Sequence, residues 1–219
     1  MRKRVLFIVG LVLLSGAKAH AYDDHDFQVW NTDVEEFRIN SSLKLALEEE
    51  FRWGNNAGDF YYHHYDLGFF YDVNKHLSIG IGYRQIFEEK SGKFKEENEP
   101  YGTATFIWET AGFRFDDRSR LEYRHFDYQT DSWRYRNKIT VKAPWKFTKW
   151  EIQPYVADEI FLGLNGINLD RNRFFSGLGF KISRNLKGEI YYMLQSSKSS
   201  GTCLWKDANV LGTKLKLSF

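Results

Sequence analysis

The stretch "SWRYRNKITVK", residues 132–142, alternates in polarity almost without a break. Trp133, Tyr135, Ile139 and Val141 fall on one side of an extended chain, and Arg134, Arg136, Lys138 and Lys142 on the other, because successive strand side chains point to opposite faces. The same two-residue period spreads outward from it. "RSRLEYRHF" (118–126) sets Leu121 and Tyr123 against Arg118, Arg120, Glu122 and Arg124. "LKGEIYYMLQ" (186–195) sets Leu186, Ile190, Tyr192 and Leu194 against Lys187, Glu189 and Gln195. "VLGTKLKLSF" (210–219) sets Leu211, Leu215, Leu217 and Phe219 against Lys214 and Lys216. In "SLKLALEEEFRW" (42–53) the period also holds, with Glu49 the exception on the apolar side.

Composition agrees with an all-β chain: 18% of the 219 residues are aromatic and only three are proline, a mixture that favours strands. Lys and Arg number 31 against 29 Asp and Glu, a net charge of +2, so no bulk attraction to nucleic acid is implied. The single cysteine, Cys203, forms no internal disulfide.

Residues 1–21 begin with Arg2, Lys3 and Arg4, continue through an apolar run from Val5 to Leu14, and reach small residues at Ala17, Ala19 and Ala21. That order reads as a secretory signal peptide, followed by one domain over 22–219. No later run of 18 apolar residues exists, so a membrane crossing would need a closed barrel. Alternation alone does not say which face points inward. A soluble lipocalin-like barrel of eight strands needs about 25 residues per strand and turn, whereas ten to twelve strands need about 17 to 20, nearer the observed spacing. Trp or Tyr recurs near segment ends at Trp30, Trp53, Tyr71, Tyr101, Trp108, Trp133, Trp150 and Trp205, as expected of belts at two membrane interfaces. Each Lys or Arg turned to lipid at the midplane would cost about 2–4 kcal/mol, so the basic face is placed in the lumen and the Leu and aromatic face in the bilayer. The expected fold is a transmembrane up-and-down antiparallel β-barrel in the bacterial outer membrane.

Breaker clusters delimit eleven segments: 26–39, 42–53, 59–71, 76–88, 101–115, 118–129, 132–143, 149–162, 173–183, 186–196 and 205–219. Single-chain bacterial barrels have even strand numbers. The expectation is therefore twelve strands, with ten as the alternative, and the parity error is assigned to the poorly alternating "DFQVWNTDVEEFRIN" at 26–40. Counting back from a periplasmic Phe219 puts the long polar loops 53–59, 88–100, 163–172 and 196–204 outside.

The stretches "DFQVW" (26–30), "LEEEFRW" (47–53), "RSRLEYRHFDY" (118–128), "WRYRNKITV" (133–141), "GLGFKIS" (177–183), "GEIYYMLQ" (188–195) and the closing "VLGTKLKLSF" resemble a family of bacterial outer-membrane proteins catalogued as domain of unknown function 2490. The likeness runs through nearly the whole mature chain. It implies an outer-membrane barrel and brings no catalytic residue, substrate or cofactor with it. The terminal Phe219 resembles the C-terminal signal by which the barrel-assembly machinery recognises its clients. The partners expected are that machinery, periplasmic chaperones, and outer-membrane lipid and lipopolysaccharide around a monomer.

No phosphate loop, HExxH or paired-cysteine metal motif occurs, and neither a cofactor nor an enzymatic activity is expected. His63 and His64 are adjacent on a strand and face opposite ways. His125, Asp127 and Ser132 can be drawn as a hydrolytic set, and "SSLK" (41–44) matches a Ser-x-x-Lys pattern at a turn rather than a helix start; both are weak. The constellation that stands out is inward charge. Arg118, Arg120, Arg124, Arg134, Arg136 and Lys138 lie on two adjacent segments with only Glu122 among them, and Glu48, Glu50, Asp66 and Glu88 come from earlier segments. They are the candidate lumen lining. Two readings stay open: a small channel whose basic wall prefers anions, or a barrel plugged by its own ion pairs. An outer-membrane enzyme acting on lipid or lipopolysaccharide, and a surface receptor or adhesin using 88–100, are the alternatives.

Overall fold

Alternating segments joined by tight turns give hairpins, and eleven of them in succession close on themselves. The computed structural model describes residues 24–198 and 204–219; the signal peptide read at 1–21 lies outside them. The strands are β1 (Asp26–Arg38), β2 (Leu43–Gly54), β3 (Asp59–Asn74), β4 (Leu77–Lys90), β5 (Lys93–Thr110), β6 (Phe113–Phe126), β7 (Ser132–Lys142), β8 (Gln153–Gly163), β9 (Asn168–Lys181), β10 (Leu186–Lys198) and β11 (Trp205–Ser218). Each pairs with its neighbours in sequence, and β1 meets β11 to complete a closed barrel.

The described residues form eleven strands, neither twelve nor ten. A ring of sequential antiparallel strands with an odd count must contain one parallel pair, and that pair is β1–β11, in register from Asp26↔Ala208 to Glu36↔Ser218. The N-terminal stretch blamed for the parity is one ordinary strand, antiparallel to β2 on its other side. It alternates poorly because its outward face carries Asn31, Asp33 and Glu35 beside Phe27 and Val29.

Three loop assignments also change. The polar run 88–100 is mostly strand: β4 and β5 continue to a two-residue turn at Ser91-Gly92, with φ of 55° and 80°, the left-handed pair a type I′ hairpin turn requires. Ala111-Gly112, with φ of 50° and 80°, turns β5 into β6, while Asp116 and Asp117, read as breakers, lie inside β6. The loop expected at 163–172 shrinks to 164–167 because β9 starts at Asn168.

The barrel end that carries Phe219 also carries the connections 39–42, 75–76, 111–112, 143–152 and 182–185. The longest of these, 143–152, is folded back by a bridge between Phe147 and Ile152. Long loops are therefore not confined to the opposite end, contrary to the expected asymmetry.

The outer wall is apolar around much of its circumference, with Ile81 (68% exposed), Phe106 (54%) and Phe174 (50%) at its surface. Many of its polar groups bond to one another: Asn137 to Asp117 at 2.6 Å, Asn172 to Asp158 at 3.0 Å and Asn31 to Thr213 at 3.0 Å. Aromatic residues gather at both rims. Phe37 stacks on Phe219 with centroids 4.9 Å apart and Trp108 on Phe115 at 5.1 Å, while Tyr123 and Trp133 meet at 5.1 Å at the other end. Two residues expected in such belts lie elsewhere. Trp30 and Tyr101 point into the barrel and are 2% and 6% exposed. Tyr101 fits because its cross-strand partner is Gly82, where even a Cβ would collide with the phenol ring.

Candidate functional site

The interior is built from the alternate residues of every strand, so its chemistry follows from which charges the register brings level. β6 and β7 supply the basic residues: Arg120 pairs across with Arg136, Glu122 with Arg134 and Arg118 with Lys138. Two like charges side by side need carboxylates from outside the pair of strands, and both flanking strands provide them. From β5 come Glu97 and Glu99, from β8 comes Glu159.

The resulting contacts are short. Arg134 donates through Nε to Glu122 at 2.5 Å and through Nη2 to Glu99 at 2.7 Å. Arg136 donates through Nη1 to Glu122 and through Nη2 to Glu159, both at 2.8 Å. Arg118 reaches Glu159 at 3.1 Å, and Arg124 holds Glu97 with two bonds of 2.5 and 3.0 Å. Glu99 and Glu122 are completely buried and Glu159 nearly so. A carboxylate so enclosed is tolerable only when guanidinium donors occupy its lone pairs.

On the other side, Asp66 accepts from Arg84 at 2.8 Å and from the Tyr101 hydroxyl at 2.7 Å, and lies 3.8 Å from Arg120. Glu48 bonds Lys214 of β11 at 3.1 Å and His64 at 3.4 Å, and Arg84 is 3.7 Å away. Glu50 takes Arg52 at 2.7 Å and the Thr32 hydroxyl at 2.9 Å. Charge contacts thus pass from β11 through β2, β4, β3, β6 and β7 to β8, where Glu159 lies 3.6 Å from Arg173 of β9. Arg173 in turn lies 4.9 Å from the centre of the Trp30 ring, over which Arg52 lies at 3.6 Å. The belt closes on itself. Its weakest member is Arg120, whose Nε and Nη1 are buried without a protein hydrogen bond.

Each residue of the expected lumen lining projects inward: Glu48 and Glu50 from β2, Asp66 from β3, Glu88 from β4, Arg118, Arg120 and Arg124 from β6, and Arg134, Arg136 and Lys138 from β7. The anticipated bare basic wall is corrected, because Glu97, Glu99 and Glu159 neutralise most of it. Glu97 and Glu99 were hidden in the run taken for a loop. No carboxylate among the described residues lies within ion-pair distance of Lys138; its Nζ sits 3.7 Å from the Phe175 ring centre.

The histidine readings separate. His64 faces the lumen, and His63 faces out and stacks on Phe87 with centroids 4.8 Å apart. His125 bonds Asp131 at 2.9 Å, whereas Asp127 accepts the Glu96 amide at 3.1 Å, so the drawn His-Asp-Ser set is not assembled. In the 41–44 pattern, Lys44 pairs with Asp72 at 3.5 Å. At the rim opposite Phe219, Asp24, His25 and Asp207 bring three ligand-type groups within 4.8 Å of one another, a juxtaposition across the β1–β11 seam that no spacing in the sequence signals.

One cavity of about 930 Å³ runs inside the barrel. Its lining includes Asn55 and Ser91 at one mouth and Arg114 and Lys142 near the other, with Arg134, Arg136 and Glu159 between. The fold and this interior define a class: a closed eleven-stranded β-barrel whose lumen holds a belt of ion pairs and a cavity lined by residues from both ends. The chain belongs to the family described as protein of unknown function (DUF2490), whose model matches residues 27–205. No curated protein matches it.

Proposed function

We propose that the protein is a monomeric barrel of the bacterial outer membrane that passes small polar solutes through its lumen, without enzymatic activity of its own. The cavity that touches both mouths carries this reading. Spread over a hydrocarbon core of about 30 Å, about 930 Å³ amounts to a mean cross-section of about 30 Å², room for water and small solutes but not for a polymer. The belt of Arg, Glu and Asp is then the constriction, where a passing solute meets fixed charge in place of its hydration shell.

Four features support the membrane setting. Strands of 11 to 18 residues reach or exceed the 9–11 that a tilted crossing needs. The outer wall exposes many large apolar side chains, Ile81, Phe106 and Phe174 among them, where a water-exposed surface carries few in one patch. Trp and Tyr ring the two ends, and the Lys and Arg residues of β6, β7 and β11 point inward. Phe219, stacked on Phe37, is the proposed mark for the assembly machinery.

Single-channel recording of the refolded protein in planar bilayers tests the reading. Small, discrete conductance steps are expected. Bilayers that stay silent with protein shown to be folded by its heat-dependent gel mobility would overturn it in favour of a plugged barrel.

A further inference from the structure

The cations of β9 are arranged differently from those of β6 and β7. Arg171 and Arg173 share the inward face, and both line the cavity. Opposite Arg171 in the ladder stands Phe161, whose ring gathers four guanidinium groups: Arg136 at 4.5 Å, Arg173 at 4.7 Å, Arg171 at 5.5 Å and Arg134 at 5.6 Å from its centre. The aromatic face holds the cations in place but cancels none of their charge.

The carboxylates are unevenly shared among the four. Glu99, Glu122 and Glu159 bond Arg134 and Arg136 at 2.5 to 2.8 Å. Glu159 reaches Arg173 only at 3.6 Å, and the Nε of Arg173 donates to the neutral Gln195 at 2.8 Å. Arg171 donates its Nε to the Ser197 hydroxyl at 3.0 Å, and no carboxylate among the described residues lies within ion-pair distance of it. Ser197 and Gln195, by occupying the two Nε atoms, fix the side chains and leave both Nη groups of Arg171 and the Nη2 of Arg173 without a carboxylate at ion-pair distance among the described residues, the Arg173 Nη1 alone lying 3.6 Å from Glu159. A guanidinium presents its free N–H groups as a planar fork matched to two oxygens of one carboxylate or phosphate.

We propose that Arg171 and Arg173 form an oxyanion-binding site in the lumen, which takes the phosphate or carboxylate group of a small solute. The site lies on a strand separate from the neutralised β6–β7 wall. It deepens the reading of the lumen as a solute passage but does not depend on conduction, because an occupied site in a sealed barrel binds equally well.

The test is titration of the detergent-refolded full-length protein with inorganic phosphate, and separately with acetate, by calorimetry. Chloride at matched ionic strength serves as the screening control. Saturable phosphate binding is expected, with Arg171→Gln and Arg173→Gln each weakening it about ten-fold or more, the loss of a hydrogen bond to a charged group. Arg114→Gln, which removes a lumen cation paired to Asp116 at 2.9 Å, should leave binding unchanged. Acetate binding with the same Arg171 dependence identifies carboxylate solutes as ligands, and phosphate alone identifies phosphorylated ones. No saturable binding, equal heats with chloride, or an Arg171→Gln variant of undiminished affinity would overturn the site. Phosphate binding in a protein that passes no current would uphold the site and sink the passage, and current with no binding would do the reverse.

Discussion

Two halves of one lumen solve the problem of a closed interior in different ways. Across β2 to β7 the buried inward residues include Glu50, Asp66, Arg84, Glu99, Glu122 and Arg136, held by charge-assisted bonds, beside a small apolar cluster of Tyr61, Tyr62 and Ile86. Across β8 to β11 and β1, Trp30, Ala157, Phe175, Tyr191, Met193 and Val210 pack into a buried apolar cluster. Cations lie over its rings, with Lys138 on Phe175 and Arg52 and Arg173 on Trp30. The first half matches most of its charges with their opposites, Arg120 and Lys138 excepted; the second covers greasy surface with cations and leaves part of their charge unspent. An alternating strand fixes which side chains point in, not whether they neutralise each other.

The contrast is sharpest at Glu122. Replacing it by Gln leaves Arg134 and Arg136 buried beside a neutral amide, and breaking a buried pair in this way costs about 3–5 kcal/mol, measurable as a lower urea midpoint for the bilayer-inserted barrel. Met193→Ala in the apolar half should cost less, about 2–3 kcal/mol, for the lost methylenes and the space they leave. The two residues share no partner, so the double variant should add to within about 0.5 kcal/mol. A coupling well above that would show that the halves form a single unit.

The smallest effect belongs to the rim, where water replaces both strategies. The Asp131 carboxylate accepts from His125, from the Tyr123 hydroxyl at 2.7 Å and from the Phe126 amide at 3.1 Å. These bonds hold its pKa down to about 2 from 3.8. A carboxyl depressed on folding stabilises at every pH above its unfolded value and loses that contribution only as pH falls through the folded one. Between pH 7 and 5 Asp131 stays ionised while His125, whose pKa the carboxylate raises from 6.5, takes up a proton, so Asp131→Asn should raise amide exchange at the β6–β7 turn, relative to the intrinsic rate, more at pH 5 than at pH 7. A difference between the two proteins that is equal at pH 5 and pH 7 would refute the pairing of His125 with Asp131.

Much of the architecture could be read from residues whose two faces differ in kind. At 132–142, 118–124 and 210–219 the apolar set faces out and the charged set faces in, and these segments coincide closely with strands. The signal fails where both faces are polar. In "EEKSGKFKEENEP" the inward Glu97 and Glu99 alternate with outward Glu96 and Asn98, which bond each other at 3.0 Å and draw in Gln85 at 2.9 Å. A binary pattern cannot tell such a strand from a loop, and with it went the counter-charges of the arginine wall. Ser91-Gly92 was the available clue to the hairpin. Aromatic belts misled for a related reason: Trp30 and Tyr101 have the composition of interface residues, but both fill the lumen opposite glycines, Gly212 and Gly82. Arg171 was out of reach because it sat in the segment taken for a loop.

The pairing of β1 with β11 has an effect on how the ring can come apart. The Asn31 side chain bonds Thr213, 182 positions away, so the circle is completed only when the last strand docks, through a parallel ladder, the slightly weaker kind. Withdraw either terminal strand and ten remain, an even set whose exposed borders run in opposite senses and match as an ordinary antiparallel ladder. An odd barrel of this build therefore has a narrower ring within its own sequence, one ejected strand away.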